Sequence, residues 1–297
     1  MAFSAKSLRL SAIEQGSMSS PFLSIVTVSL NAEATIEDTI ASVANQKLSF
    51  GIEHICVDGG SRDRTRAIID TWAVRSPYLR RIYEPDTGIF DAMNKGLRAC
   101  TGEYVLFLNS DDVLIARGVL AEVMRCSVSG SPSNPDLIAC HVIMGQPERF
   151  GVWRHRRVPK LLTKRPGWGL FPVHQGLIAK KSLLQLVGGF DADLRLAADV
   201  TLYYDLERKM RPAIRRIDRD LAFMRAGGAA NSDLCAMIRG SMEIYRHLVA
   251  THTGFRAASM VLVKTIQSIS EIRLGHCRRI DWFVQPSDRP GVPSKPS

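Results

Sequence analysis

Short apolar runs alternate with helical spacings of apolar residues along the first part of the chain. Short apolar runs bounded by turn residues predict strands, whereas apolar residues three or four positions apart predict amphipathic helices. Strands are predicted at residues 22–30, 52–57, 79–83 and 104–108. Helices are predicted between them, at residues 35–45, 65–74 and 89–99. This order of elements favours parallel βαβ units.

Polar side chains follow each of the four predicted strands. In strand order they are Ser29 with Asn31, then Asp58, then Glu84 with Asp86, and finally Asp111 with Asp112. Ligands of parallel α/β sheets bind outside the carboxyl ends of the strands. The sequence therefore predicts a ligand site at this edge of the sheet.

The pattern is looser in the second half of the chain. A strand is predicted at residues 176–179, and helices at residues 182–187, 199–209, 234–250 and 257–274. The elements predict an α/β domain over residues 21–232, with halves at 21–115 and 116–232, and a helical extension over 233–284. The Ser-rich residues 1–20 are expected to be a mobile tail, and the Pro-rich residues 285–297 a disordered one.

Charge is distributed unevenly along the 297 residues, whose formal net charge is +10. Residues 1–145 hold 13 basic and 16 acidic side chains, a net of −3, whereas residues 146–297 hold 26 and 13, a net of +13. The basic second half either has an ordinary solvated surface or binds a nucleic acid, an anionic membrane or a phosphorylated substrate. Aromatic residues are only 7% of the chain and form no stacking array, so a nucleic acid is not expected.

Composition also limits the compartment and the class of protein. Hydrophobic residues at 45% and charged residues at 23% are typical of a folded globular chain. No apolar run approaches the roughly 18 residues of a membrane-spanning helix, and no secretion signal is evident. The six cysteines form no CxxC pair, which disfavours a zinc ribbon and favours buried thiols in a reducing compartment. We therefore expect a cytoplasmic protein.

The adjacent carboxylates of Asp111 and Asp112 are the strongest local feature. They repel each other after a buried strand, so they need a cation or a hydrogen-bond donor. Oxygen ligands favour Mg²⁺ or Mn²⁺, and Mg²⁺ commonly takes one or two carboxylates together with substrate phosphates. The alternative is an exposed loop pair that caps the next helix, and the spacing alone does not decide between the two.

Two further segments lie between a strand and a helix. In Asp58-Gly59-Gly60-Ser61 the glycines let a flat ligand approach the backbone, and the carboxylate can accept a hydrogen bond from a base. The alternative is an Asp-Gly turn that caps the following helix. In residues 84–96, Lys95 projects from a helix and is placed to meet a diphosphate, unless it is an ordinary solvated lysine.

Taken together, four ordered segments resemble the nucleotide-binding half of family 2 glycosyltransferases with the GT-A fold. The segments are residues 24–31, 58–65, 84–96 and 102–112. The third segment and the Asn109-Ser110-Asp111-Asp112 ending of the fourth are similar to bacterial exopolysaccharide and colanic-acid-type members. The resemblance covers about residues 22–230. It implies a Rossmann-like, mostly parallel sheet flanked by helices, here with a C-terminal helical extension.

The resemblance also implies roles for individual residues. Asp111 and Asp112 match the element that binds Mg²⁺ or Mn²⁺, with Asp112 the first choice for a direct ligand. Asn109 stands where many relatives have another aspartate, which leaves the full ligand set open. The residues expected to bind the nucleotide-sugar donor are Ser29, Asn31, Asp58, Asp86, Asn94, Lys95, Ser110 and Asp111.

On the acceptor side, the resemblance assigns the catalytic base to an acid that opens a helix. Asp199 follows two alanines at that place, and without the resemblance it would be taken for a helix N-cap. His174 and Gln175 are further acceptor-side candidates. The implied activity is inverting, metal-dependent hexosyl transfer from a nucleoside-diphosphate sugar to a hydroxyl of a glycan or polyprenyl-linked acceptor, in exopolysaccharide or other surface-polysaccharide biosynthesis.

Three alternatives stay open at the level of sequence. A nucleotidyltransferase would share the sheet and the acids, but it usually has a Gly-rich loop after the first strand, and this chain has Ser29-Leu30-Asn31-Ala32. A catalytically inactive sugar-binding protein is the second. The third concerns residues 255–279, where apolar and basic side chains fit either a core helix or peripheral contact with an anionic membrane, at the inner face of the plasma membrane.

Overall fold

The structure, a computed structural model, covers most of the predicted α/β domain. The residues described are 21–46, 48, 50–128, 134–145, 152–158, 173–225, 234–251, 258–259, 261–262 and 272–274. The two expected tails, at 1–20 and 285–297, lie outside these residues. So does most of the helix expected at 257–274.

The first half of the chain forms four parallel strands joined by three helices, as the apolar pattern predicts. Each predicted boundary agrees with the structure to within one residue. The elements are β1 (Leu23–Ser29), α1 (Ile36–Ala44), β2 (Ile52–Asp58), α2 (Thr65–Arg75), β3 (Leu79–Tyr83), α3 (Ile89–Ala99) and β4 (Tyr104–Phe107). Their spatial order is β3-β2-β1-β4, and all three pairings are parallel.

The second half extends the same sheet, mainly with antiparallel strands. Its elements are β5 (Val113–Leu114), α4 (Val119–Val128), β6 (Leu137–Gly145), β7 (Val152–Arg156), a 3₁₀ turn (His174–Gly176), β8 (Leu177–Lys180), α5 (Lys181–Leu186), α6 (Ala198–Met210), β9 (Ile214–Arg225), α7 (Leu234–Thr251) and β10 (Ile272–Leu274). The order continues β4-β8-β6-β7-β10 through antiparallel pairs. β9 pairs in parallel with β6 and antiparallel with β5.

The structure departs from the sequence prediction in the second half, where β5, β6, β7 and β9 were not predicted. The α/β class and the GT-A-like sheet with flanking helices are confirmed, but the parallel pairing is concentrated in the first half. The prediction of a helix over 257–274 is wrong at its carboxyl end, because Ile272–Leu274 is a strand that pairs antiparallel with β7. Long-range pairing with a sheet edge decides that segment, and helical spacing of apolar residues cannot report it.

Both faces of the central strands are buried. Alternate residues of β1 and β4 enter two different apolar clusters, one with α3 and α6 and the other with α4 and β6. This explains why these strands have continuous apolar runs. α3 lies very close to β1, because a Cβ at Gly96 would come within 2.3 Å of Cγ1 of Val26. The glycine therefore fixes how deeply α3 sits on the sheet.

Outside the sheet, α7 packs on α6 through Ile244 and Leu248, which are buried in the same cluster as Leu202 and Leu206. Among the described residues, no helix combines the length and apolar character needed to cross a bilayer.

At the amino-terminal edge of the sheet, opposite the predicted ligand site, Glu53 ties four segments together. Its carboxylate accepts hydrogen bonds from Ser24 Oγ at 2.6 Å, from Thr101 Oγ1 at 2.7 Å and from Gly102 N at 3.2 Å. Arg80 Nη1 lies 2.7 Å from the other oxygen. Burial by itself would raise the pKa of Glu53, but these donors outweigh it and lower the pKa below 4.5.

We therefore expect Glu53→Gln to lower the free energy of unfolding by about 2 kcal/mol at neutral pH, because a buried charged acceptor is lost. Glu53 supplies its stabilisation above the ordinary pKa of 4.5, and that contribution is lost as the pH falls through the lowered value. The two proteins should converge in acid, as measured by urea unfolding at several pH values. The exposed Glu84→Gln is the matched control, and an equal loss in both variants would contradict this role.

Candidate active site

The carboxyl ends of β1, β2, β3 and β4 meet at one edge of the sheet and bring the predicted polar residues together there. Ser29 is the register partner of Asp58, and Asp58 is the partner of Tyr83. Asp111 and Asp112 follow β4, which pairs with β1. The site therefore has a donor-side part over β1–β3 and a second part after β4.

On the donor side, Asp58 is 0% exposed and organises the loop that follows β2. Its Oδ1 accepts hydrogen bonds from Gly60 N at 3.1 Å, from Ser61 N at 2.9 Å and from Arg66 Nε at 2.6 Å. Its Oδ2 accepts from the Ser61 hydroxyl and from Ser29 Oγ, the latter at 3.3 Å. Burial alone would raise the pKa of Asp58, but the donors outweigh it and the pKa is lowered. The carboxylate thus holds the loop in place.

The neighbouring residues complete this loop. Asn31 has a left-handed backbone with φ of 51°, its N–H donates to Ser61 Oγ at 2.7 Å, and its Oδ1 accepts from Arg62 N at 2.9 Å. Asp86 packs on the backbone of Gly59, where a Cβ would fall 1.8 Å from Oδ2 of Asp86. Burial raises the pKa of Asp86, and the carboxylates of Asp91 and Asp58 raise it further.

Lys95 and Asn94 lie on α3 but do different things. Lys95 Nζ donates to the carbonyl of Pro85 and lies 3.2 Å from Asp91 Oδ2. Asn94 clamps the backbone of Phe190, donating from Nδ2 to its carbonyl at 2.8 Å and accepting from its N–H at 2.9 Å. Arg195 Nη1 adds a second link, donating to the carbonyl of Thr87 at 2.8 Å. α3 and the loop before α6 are therefore joined at two points.

After β4, Asp112 is buried at 2% exposure and Asp111 is half-buried beside it. Gln175 Nε2 donates to Asp112 Oδ2 at 2.8 Å, and Thr39 Oγ1 donates to the Asp112 carbonyl at 2.7 Å. Burial raises the pKa of both carboxyls, and the charge of Asp111 raises that of Asp112 further. The half-buried Ser110 precedes the pair.

Several buried polar atoms around this pair have no hydrogen-bond partner within the described part of the chain. They are Asn109 Oδ1, Gln175 Oε1, His174 Nε2 and Arg225 Nε. Buried polar groups in folded proteins are normally satisfied, so this concentration indicates a place for a polar ligand. The described residues contain no group of three His, Cys, Asp or Glu side chains placed to hold a metal ion. Two carboxylates and unpartnered amide oxygens nevertheless fit a divalent cation that also takes ligands from a substrate.

His174 and Asp199 face each other on the acceptor side. His174 Nδ1 lies 3.2 Å from Asp199 Oδ2, and Asp199 Oδ1 accepts from Val200 N at 2.8 Å in the first turn of α6. The 3₁₀ turn that carries His174 lies directly on β6, because a Cβ at Gly176 would come 2.6 Å from the carbonyl of Cys140. Both side chains border a small, largely apolar cavity with Phe107, Phe190 and Leu202.

Arg225 is the site residue that the sequence reasoning missed. It ends β9, its Nη2 lies 2.7 Å from Asp38 Oδ2, and its charge lowers the pKa of both Asp111 and Asp112 against the effect of burial. Its backbone N–H also bonds to the Asp112 carboxylate. Nothing in the local sequence marks it, since the contact depends on the pairing of β9 with β5.

Comparisons with known proteins agree with this combination of sheet and site. A family model described as glycosyl transferase family 2 matches residues 24–125. An uncharacterized glycosyltransferase of Mycobacterium tuberculosis is 32% identical over 182 residues, which is 61% of this chain and 67% of the relative. A PGL/p-HBAD biosynthesis glycosyltransferase of Mycobacterium bovis is 32% identical over 183 residues, or 61% and 68%. The chain belongs to glycosyltransferase family 2.

Solved structures of low sequence identity share the fold. Staphylococcus aureus TarS 1-349 in complex with UDP-GlcNAc aligns with a TM-score of 0.58 at 19% identity, covering 84% of this chain and 73% of that one. The mannosyltransferase PcManGT of Pyrobaculum calidifontis, in complex with GDP-Man and Mn²⁺, aligns with a TM-score of 0.60 at 18% identity, covering 85% and 73%.

The contacts of Asp58 generate a prediction about stability. We expect Asp58→Asn to lower the free energy of unfolding by about 3 kcal/mol, because it leaves the Arg66 and Ser61 donors without a charged acceptor. Urea unfolding measures this. Asp70→Asn, at a half-exposed carboxylate paired with Arg81, is the control and should cost under about 1 kcal/mol. Unchanged stability with lost nucleotide binding would show that Asp58 serves the ligand and not the loop.

Proposed function

We propose that this family 2 glycosyltransferase transfers a hexosyl group, with inversion, from a nucleoside-diphosphate sugar to an acceptor hydroxyl. The observation that carries the proposal is the placement of Asp199 with His174 beside the Asp111–Asp112 pair, at the carboxyl edge of one sheet. One side of the site thus has carboxylates that can hold a cation for the diphosphate of a donor, and the other side has a base for the hydroxyl of an acceptor. The UDP-GlcNAc and GDP-Man complexes of the two fold neighbours support this class of donor.

The donor occupies the loops after β1, β2 and β3 in this proposal. Asp58 and Ser29 hold this loop so that Gly60, which has open space where a Cβ would lie, is left for a flat base, and Asn31 and Asp86 border it. Lys95, whose Nζ donates to the carbonyl of Pro85 in the loop after β3, supplies positive charge for the diphosphate. Ser110 and Asp111 face the ribose and diphosphate. Asn94 acts on the donor site indirectly, because its side-chain amide is bonded to the backbone of Phe190.

Asp111 and Asp112 would hold Mg²⁺ or Mn²⁺. The residues fit such an ion, since a buried and a half-buried carboxyl with raised pKa values both gain from a neighbouring positive charge. When bound, the ion neutralises the negative charge that grows on the departing diphosphate. Gln175 holds Asp112 in position, and Arg225 contributes a fixed positive charge. The Mn²⁺ of the mannosyltransferase complex supports this assignment.

The transfer is a single in-line displacement. Asp199 takes the proton of the acceptor hydroxyl as that oxygen forms a bond to the anomeric carbon. The bond from the anomeric carbon to the diphosphate oxygen breaks, and the nucleoside diphosphate leaves with the electron pair. His174 positions Asp199 through its Nδ1. One base and one displacement invert the anomeric centre, and no covalent enzyme intermediate is needed.

The acceptor is a hydroxyl of a glycan or of a polyprenyl-linked sugar in surface-polysaccharide biosynthesis. The net charge of +13 over residues 146–297 suits an acceptor with a lipid diphosphate, or contact with an anionic leaflet at the inner face of the plasma membrane.

A thermal-shift and turnover panel tests the donor and the base together. UDP-, GDP- and dTDP-sugars are compared with and without Mn²⁺ for the native chain, Asp112→Asn and Asp199→Asn. We expect one nucleotide to stabilise the native chain in the presence of Mn²⁺, and Asp112→Asn to lose that stabilisation. Asp199→Asn should keep the stabilisation and lose about 10²–10⁴-fold in kcat, as expected for a general base. Failure of every nucleotide to stabilise the folded chain would overturn the proposal.

The His174–Asp199 contact predicts a separate kinetic effect. His174→Ala should lower kcat about tenfold with an unchanged KM for the donor, because Asp199 loses one orienting hydrogen bond. His174→Asn places an amide N–H near the original Nδ1 and should restore most of kcat. A loss of donor affinity with unchanged kcat would instead assign His174 to donor binding. Equal kcat losses in both variants, with no rescue, would contradict the positioning role.

A further inference from the structure

Four large apolar side chains form a continuous exposed stripe along α7. Ile238 is 50% exposed, Met242 47%, Tyr245 41% and Val249 42%. Their spacing of four, three and four residues places them on one face of the helix. Soluble surfaces rarely present such a contiguous apolar patch without a partner.

The opposite face of α7 packs on the rest of the chain through the side chains that the structure describes there, so the helix is already docked and the exposed stripe is its outer face. Ile244 and Leu248 are buried at 0% and 1%. Glu243 accepts hydrogen bonds from the backbone N–H groups of Arg195 and Leu196, at 3.3 and 2.9 Å. These bonds fix the rotation of the helix on the loop that leads to Asp199.

The charges beside the stripe indicate the chemistry of its partner. Arg239 and Arg246 are exposed and seven residues apart, and neither forms an ion pair with an acidic side chain in the described part of the chain. If two copies paired along the stripe as a parallel coiled coil, the stripe would supply the a and d positions of the heptad repeat. Arg239 and Arg246 would then occupy e positions, opposite Ser241 and Leu248 at the g positions of the other copy. That pairing offers no acidic side chain to the arginines. An anionic lipid surface, in contrast, offers many negatively charged phosphates.

We propose that the outer face of α7, defined by Ile238, Met242, Tyr245 and Val249 with Arg239 and Arg246, lies on an anionic lipid bilayer. The apolar side chains enter the boundary between headgroups and acyl chains, and the two guanidinium groups meet lipid phosphates. Tyr245 suits this boundary because its ring is apolar and its hydroxyl is polar. Docking needs neither a donor nor a metal, so the surface is independent of the proposed sugar transfer.

This orientation also has a consequence for the acceptor. The inner face of α7 bonds to Arg195 and Leu196, and Asp199 opens the next helix. A helix is about 10–12 Å in diameter with its side chains. The loop before Asp199 therefore lies about one helix diameter above the bilayer, within reach of a sugar carried on a lipid diphosphate.

Flotation of the full chain with vesicles tests the surface. Vesicles of phosphatidylcholine alone are compared with vesicles of phosphatidylcholine and phosphatidylglycerol at low salt. We expect binding to the anionic vesicles only, a loss of about tenfold or more in Arg239→Gln/Arg246→Gln, and near-complete loss in Met242→Glu/Tyr245→Glu. The matched control, Val74→Glu/Leu186→Glu, changes two exposed apolar residues elsewhere and should bind like the native chain.

Thermal melting of each variant shows that the chain is still folded. The proposal is overturned if the native chain does not bind anionic vesicles, or if Met242→Glu/Tyr245→Glu binds them as well as the control does. Sedimentation velocity addresses the other occupant of the stripe. A native dimer that Met242→Glu/Tyr245→Glu converts to monomer, without vesicle binding by the native chain, would assign the stripe to a second copy and overturn the proposal.

Discussion

The parallel register of β1, β2 and β4 is the constraint on which the site depends. Because Ser29 pairs with Asp58 and β4 lies on the other side of β1, the polar residues that follow these strands share one edge of the sheet. Both faces of the sheet are covered by apolar clusters, so burial stabilises the paired strands, and the hydrogen bonds of Glu53 and Asp58 add to it. Side chains that are far apart in sequence are thereby held together at this edge.

The pKa values of the carboxyl groups shift in opposite directions in the two parts of the site. Asp58 is surrounded by donors, its pKa is lowered, and it stabilises the fold as an anion. Asp111 and Asp112 are also withdrawn from water, but they have few donors, so their pKa values are raised and unpartnered atoms remain around them. The first arrangement is complete within the chain. The second is the arrangement that the proposed cation would complete.

Local patterns predicted the first half of the fold and, in the second half, β8, α5, α6 and α7, but they did not predict β5, β6, β7 or β9. β1–β4 and α1–α3 follow periodicities within single segments, and their boundaries agree to within one residue. The first seven residues of β9 include five charged ones, and its apolar run, Leu221-Ala222-Phe223-Met224, is only four residues long. The segment is a strand because β6 and β5 pair with it. For the same reason Arg225 was not predicted. Asp58 was located from its Gly-rich turn, but its full set of donors became visible only in three dimensions.

The clamp of Asn94 on Phe190 and the bond from Arg195 to Thr87 join the donor side of the site to the loop before Asp199. Glu243 then joins that loop to α7. If the proposed donor shifts α3 when it binds, these side-chain-to-backbone hydrogen bonds carry the shift to the loop before Asp199 and to α7. The affinities for the proposed donor, acceptor and outer surface are then linked free energies, and in each pair of partners one changes the affinity of the other by the same factor.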